Sequence, residues 1–157
     1  MAPDAATLDP FTNPIPVFRV TDVTASVDYY VDKLGFKLLW QYNDFFASVA
    51  RGKTNFFLTE GDQGHCGTWV WIGVPDVDAL HAELLALGAV IRHPPTEYPW
   101  AREMQIADPD NNVLRIGSDP TPGAPAGEWL DMYGDRWITN PDGQSVKIAG
   151  KSIKATA

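Results

Sequence analysis

Two stretches of this chain repeat one another. "VTDVTASVDYYVDKLGF" lies over "VPDVDALHAELLALGA", with Val20 and Val74 54 residues apart and Gly35 and Gly88 53 apart. Each stretch leaves a strand-like apolar run and passes an aspartate. It then continues through an amphipathic segment to a glycine that stops a helix. A strand–helix–three-strand unit present twice constrains the fold more than any other feature, because neither copy buries its apolar face alone.

The pattern predicts the following elements. "IPVFRV" (15–20) is a strand, and Val23 to Leu34 is a helix with Val23, Val27, Tyr30, Val31 and Leu34 on one face. "FKLLWQY", "FFASVA" and "NFFLTE" follow as strands. In the second copy, "WVWIGV" (69–74) is a strand. A helix after Asp76 aligns Val77, Leu80, Leu84 and Leu87, and "AVIRH", "EMQIAD" and "NVLRIG" complete the unit. "DPDNN" (108–112) is a turn between the last two strands. The fold class is α+β: two βαβββ modules, about 15–60 and 68–118. Residues 1–14 read as a loose arm. Residues 119–157 read as a linker and a hairpin-like extension around Pro141-Asp142-Gly143, packed by Trp129 and Trp137.

A formal net charge of -8 argues against a general nucleic-acid binder and is compatible with a cationic ligand. The single cysteine, Cys66, allows no intrachain disulfide and fits a cytoplasmic setting. No apolar run is long enough for a membrane helix, and the first residues do not form a signal peptide.

"PVFRVTDVTASVDYYVDKLGF", "DFFASVARGKTNFFL", "WVWIGVPDVDALHAEL" and "PWAREMQIADPDNNVLRI" together resemble the vicinal oxygen chelate superfamily. That superfamily includes glyoxalase I, extradiol dioxygenases and antibiotic-sequestering proteins. "WVWI" and "PWARE" resemble the bleomycin resistance proteins in particular. The resemblance implies paired βαβββ modules forming a curved mixed sheet with a cleft, and a homodimer with ligand crevices at its interface, the N-terminal strand exchanged between subunits. Metal-dependent members carry ligands at four strand positions. Here these read approximately Ile15, Phe57, Trp69 and Arg115, which are not a metal-ligand set. The three histidines, His65, His81 and His93, show no convergent partners. No metal and no cofactor are expected, and binding is favoured over turnover.

The candidate ligand-binding residues are Phe46, Phe57, Trp69, Trp71, Tyr98, Trp100, Glu103 and Arg115. Flat heteroaromatic groups stack on indole and phenyl faces, and a cationic tail is drawn to ring faces and carboxylates. Phe57 and one of the strand tryptophans are equally readable as core fillers. Asp44, Glu60 and Asp62 are further candidate attractors, and Arg115 is expected to point into the cleft and pair with Glu103 or a nearby carboxylate. The expected function is resistance by stoichiometric sequestration of a cationic, aromatic, bleomycin-like molecule. A metal-dependent glyoxalase- or dioxygenase-like enzyme, and a binder of another flat molecule, stay open as alternatives.

Overall fold

The computed structural model of the chain describes residues 13–124, 128–130, 135–140 and 144–148. The predicted duplication is present. The first module runs β1 (Val17–Arg19), α1 (Val23–Asp32), β2 (Lys37–Tyr42), β3 (Phe46–Arg51) and β4 (Thr54–Thr59). The second runs β5 (Trp69–Gly73), α2 (Val77–Ala86), β6 (Ile91–Glu97), β7 (Arg102–Ala107) and β8 (Val113–Ser118). Their sheets have the same topology, β1-β4-β3-β2 and β5-β8-β7-β6. In each, the first strand pairs parallel with the last, and the remaining pairs are antiparallel.

Both helices begin the same way. Asp22 and Asp76 stand in extended conformation, and their carboxylates accept the backbone N–H groups of Ala25 and Ala79 at 2.8 and 2.9 Å. These N-caps satisfy donors that helix geometry leaves free. After each helix the chain reverses through a glycine with positive φ, Gly35 (67°) and Gly88 (78°). A side chain at Gly35 would also meet the Arg51 guanidinium at 2.9 Å.

Each sheet has two unlike faces. In the first, Phe18, Ala47, Val49, Phe56 and Leu58 are buried beneath α1, while Phe46 and Phe57 alternate onto the other face. In the second, Met104, Ile106, Leu114 and Ile116 are buried, while Trp71, Glu103 and Arg115 take the other face. The buried residues of both modules form one core. The modules therefore pack back to back through their helix-bearing faces, and the aromatic faces point away from that core.

Hydrogen bonds lock the two halves. Asp108 lies in the β7–β8 turn, 4% exposed. It accepts the Tyr30 hydroxyl at 3.2 Å, the Asn112 side-chain amide at 2.9 Å, and the backbone N–H groups of Asp110 and Asn112. Asn112 also donates to the Arg19 carbonyl, and Tyr29 donates to the Ala107 carbonyl. Arg51 reaches across to form a bidentate pair with Glu83.

Several boundaries differ from the sequence reading. β6 continues through Pro94 and Pro95 to Glu97, where the sequence suggested an end at His93. It is an edge strand with register shifts between Ile91 and Thr96, which is where a sheet tolerates proline. Leu87, expected on the buried face of α2, is its C-cap and 37% exposed. The C-terminal extension holds three strands: β9 (Glu128–Leu130), β10 (Arg136–Thr139) and β11 (Ser145–Lys147), in the order β11-β10-β9. Beyond the expected hairpin, the strand carrying Trp129 joins the same sheet. Most of the N-terminal arm, the Pro141–Gly143 turn and the last residues lie outside the described residues. Among the described residues no helix is long and apolar enough to cross a membrane.

Burial pushes the Asp108 carboxyl above the ordinary carboxylate range, against hydrogen bonds from Asn112 and Asp110 that pull it down. The folded chain then holds this proton at a pH where the unfolded chain has released it. The group's contribution to stability is full below the unfolded value and falls as pH rises through the folded one. Asp108→Asn cannot ionise, so in urea unfolding its stability relative to the native chain is expected to improve from pH 4 to 7. Asp108→Ala, which strips buried donors of their acceptor, is expected to cost roughly 2–4 kcal/mol at any pH in that range.

Candidate ligand-binding site

The second module's outer face is organised around one carboxylate. Glu103 on β7 is 4% exposed. Its Oε1 accepts the indole N–H of Trp71 from β5 and that of Trp100 from the loop before β7, both at 3.1 Å. Its Oε2 accepts the Arg115 Nε from β8 at 2.6 Å. The strand register explains the convergence: Trp71 lies beside Arg115, and Glu103 lies opposite Gly117. A side chain at Gly117 would meet Glu103 at 2.9 Å, so the glycine leaves the space that this carboxylate fills.

Trp100 is seated from below by Tyr98, their rings stacked at 5.3 Å and 16°. Burial, reinforced by the Glu103 carboxylate, raises the Tyr98 phenol above its ordinary range, while Arg115 draws it down. Trp71 and Trp100 nevertheless stay 54% and 48% exposed. They border a cavity of about 380 Å³ whose wall also includes Val74, Pro75, Ser118 and Asp119. That volume lies within the range of small-molecule sites. Trp69 is held separately, with the Arg92 guanidinium 5.0 Å from its ring centroid. β5 and β6 are the outer strands of a four-stranded sheet, about 14 Å apart if it were flat. Arg92 thus spans the sheet to reach Trp69.

The first module's outer face carries a second aromatic cluster. Phe46 stacks on Trp40 at 5.6 Å and 13°, and Phe57 lies 5.5 Å from Trp40 and 5.4 Å from Phe46. Beneath them is Ser48, opposite both Trp40 and Phe57 in register. Ser48 is 1% exposed, and its hydroxyl has no hydrogen-bond partner among the described residues.

The candidate residues thus fall into two groups. Trp71, Tyr98, Trp100, Glu103 and Arg115 converge in the second module, with Trp69 at its margin, and Phe46 and Phe57 meet in the first. Two placements refine the sequence reading. Tyr98, a candidate ligand contact in the sequence, is buried and stacks beneath Trp100. Glu103 is saturated by its own neighbours and so holds the indoles in place. Arg115 pairs with Glu103, as anticipated, whereas Arg102 leaves this face and binds Asp78 at 2.6 and 2.8 Å. Glu60, suggested as an attractor, instead accepts the Val23 N–H at the start of α1. Trp40 was missed. The alternation within "FKLLWQY" was its signal, obscured by the register shift between Leu38 and Trp40.

A second cavity of about 370 Å³ lies between the modules, lined mainly by core residues such as Leu34, Phe36, Leu84, Ile106 and Leu114. At its mouth Arg51 is already occupied by Glu83 and the Leu34 carbonyl. None of the candidate ligand-binding residues lines it.

The strand positions singled out as metal positions carry these residue types. In register, Val17 lies beside Phe57 and Trp71 beside Arg115, the same relation in both modules. Ile15, just before β1, and Trp69, at the start of β5, the positions read from the sequence, are two residues earlier. Valine, isoleucine, phenylalanine, tryptophan and an ion-paired arginine do not fit a divalent metal. Among the described residues no three His, Cys, Asp or Glu side chains group to hold one.

Residues 8–116 match the family model of the Glyoxalase/Bleomycin resistance protein/Dioxygenase superfamily. The chain belongs to this superfamily. Among solved structures it is similar to the bleomycin-binding protein from bleomycin-producing Streptomyces verticillus complexed with copper(II)-bleomycin, at 30% identity and a TM-score of 0.61. That match covers 71% of this chain and 98% of the other. An antibiotic binding protein from Streptomyces sp. CB03234 is 26% identical over 70% of this chain and 98% of its own, with a TM-score of 0.57. A lactoylglutathione lyase from Agrobacterium tumefaciens shares the fold at 18% identity, covering 69% and 95% of the two chains at a TM-score of 0.57. A search of curated proteins gave no match.

Glu103→Gln keeps an acceptor for the indoles and removes the charge that holds Arg115. It is expected to cost about 1–3 kcal/mol by urea unfolding. In a double-mutant cycle with Arg115→Met the two losses are expected not to add, because both remove the same pair.

Proposed function

We propose that this protein binds a planar, cationic molecule of the bleomycin class stoichiometrically and confers resistance by sequestering it, with no bond made or broken. The observation that carries the reading is the pair Trp71 and Trp100. Both indoles are half exposed, both are pinned by Glu103, and both border one cavity. Two large rings held rigid before a ligand arrives lose little entropy on binding, so their faces are suited to stacking. The positions where relatives would hold a metal carry Phe57, Arg115 and apolar neighbours, which supports binding over turnover. The similarity to a bleomycin-binding protein and to an antibiotic-binding protein supports the ligand class. The formal charge of -8 supplies long-range attraction for a cation.

The working unit in this reading is a homodimer. The two aromatic faces point away from the shared core, so one chain cannot bring them together over one ligand. β2 is an edge strand whose Leu38, Leu39, Trp40 and Tyr42 are 43–63% exposed. An apolar edge of that kind is unfavourable in water, and a second copy would cover it. The face bearing Trp40, Phe46 and Phe57 would then lie over the partner's Trp71–Trp100 face and close a crevice.

Calorimetric titration with copper(II)-bleomycin is expected to saturate at one ligand per chain with micromolar or tighter affinity, and absence of heat and of fluorescence change would sink the reading. Trp71→Ala is expected to weaken binding at least tenfold while leaving the melting temperature within a few degrees, since more than half of that side chain is exposed. Sedimentation equilibrium is expected to give twice the 17.3 kDa chain mass.

A further inference from the structure

The similar bleomycin-binding and antibiotic-binding chains are covered almost completely, 98% each, yet they account for only 71% and 70% of this one. The family match stops at residue 116. The sheet β9–β11 is therefore an addition to the matched fold, and it sits against the site. Trp129 of β9 meets Trp100 edge to face, with centroids 5.0 Å apart and planes at 82°. The approach to that sheet also belongs to the site. Ser118 and Asp119 line the cavity beside Trp71 and Trp100, and the Thr121 N–H binds Glu97 Oε1 at 2.7 Å.

Trp129 is fixed from behind by its own sheet. It lies opposite Trp137 in register, and the two rings stack at 5.8 Å and 14°. Its indole N–H donates to Thr139 Oγ1 at 3.1 Å, and that oxygen lies 3.0 Å from Ser145 Oγ. A ring held by a stack and a hydrogen bond, and standing perpendicular to its neighbour, acts as a rigid stop. Tyr98 already takes a stacking position on Trp100. The cavity's own lining ends at Trp100, Ser118 and Asp119, so a planar group meets Trp129 where it extends past Trp100.

We propose that the C-terminal sheet is an added wall of the binding site and that Trp129 is a specificity-determining residue. It limits how wide a planar cation can lie beside Trp100. This rests on the reading that the site holds a planar ligand. It goes beyond that reading by assigning selectivity to a segment that the similar antibiotic-binding structures do not match.

The test uses the full chain and fluorescence titration with two planar cations, 4-aminoquinoline with two fused rings and 9-aminoacridine with three, alongside copper(II)-bleomycin. Trp129→Ala is expected to raise affinity for the acridine at least fivefold relative to the quinoline. Trp129→Phe, which keeps an aromatic partner for Trp137, is expected to shift selectivity in the same direction by a smaller factor. Circular dichroism distinguishes that result from loss of the C-terminal sheet. If both variants change the two affinities by equal factors, or change neither, Trp129 is not a selector and the wall proposal falls while the binding reading stands. If the native chain binds none of the three probes and Trp129→Ala binds the acridine, the wall is upheld as a cover over the site. If neither native nor variant chains bind any probe, both proposals fall together.

Discussion

The carboxylate of Asp108 ties the molecule together. It sits in a turn of the second module and takes the hydroxyl of Tyr30 from the helix of the first. Asn112 extends the contact to the Arg19 carbonyl, at the end of the first module's opening strand. A buried acid with four donors is tolerated where a bare one would not be. Its geometric effect is to fix the modules back to back. Once the helix-bearing faces share one core, each sheet must turn its other face outward. The proposed dimer rests on that orientation, since two outward faces on one chain would need a second chain to oppose them.

Within one face, Glu103 performs for the indoles what Asp108 performs for the modules. The charge pair with Arg115 would contribute little if both ends were in water. Here the carboxylate end is 5% exposed in its side chain, and the arginine end 36%. The pair is therefore retained at a desolvation cost, and two indole N–H groups share in offsetting it. The result is a rigid aromatic surface built at the second module's counterpart of a metal position.

Much of this was legible in the sequence, for identifiable reasons. The duplication, both helix caps and the closing glycines rest on local chemistry, and such chemistry is written in neighbouring residues. Arg115 was also legible, because the internal repeat gave it a counterpart in Phe57. Tyr98, Glu103 and Trp40 were harder. Whether Tyr98 supports a ring or meets a ligand depends on where Trp100 folds back. The saturation of Glu103 depends on three residues from three separate elements. Trp40 joins its cluster only through a register shift that alternation alone does not reveal. The continuation of β6 through Pro94-Pro95 was hidden because proline ends a central strand but not an edge strand.

The edges of the two sheets carry the last step. β2 exposes apolar side chains along its whole length, and β5, also an edge, exposes Trp69 and Trp71. Charged side chains, prolines or a covering loop are the usual protection for such edges. β6, the other edge of the second sheet, has its protection in Pro94, Pro95 and the irregular register around them. β2 has a register shift between Leu38 and Trp40 and a lysine, Lys37, at its start, but no proline, whereas β5 carries neither charge nor proline; both flank the faces that carry the aromatic clusters. Apolar exposure occurs elsewhere too, at Leu85 and Val90 near β6 and at Ile138 and Val146 in the C-terminal sheet. On β2 and β5 it differs in lying beside the aromatic clusters, and it is there that the proposed partner and ligand would bury it.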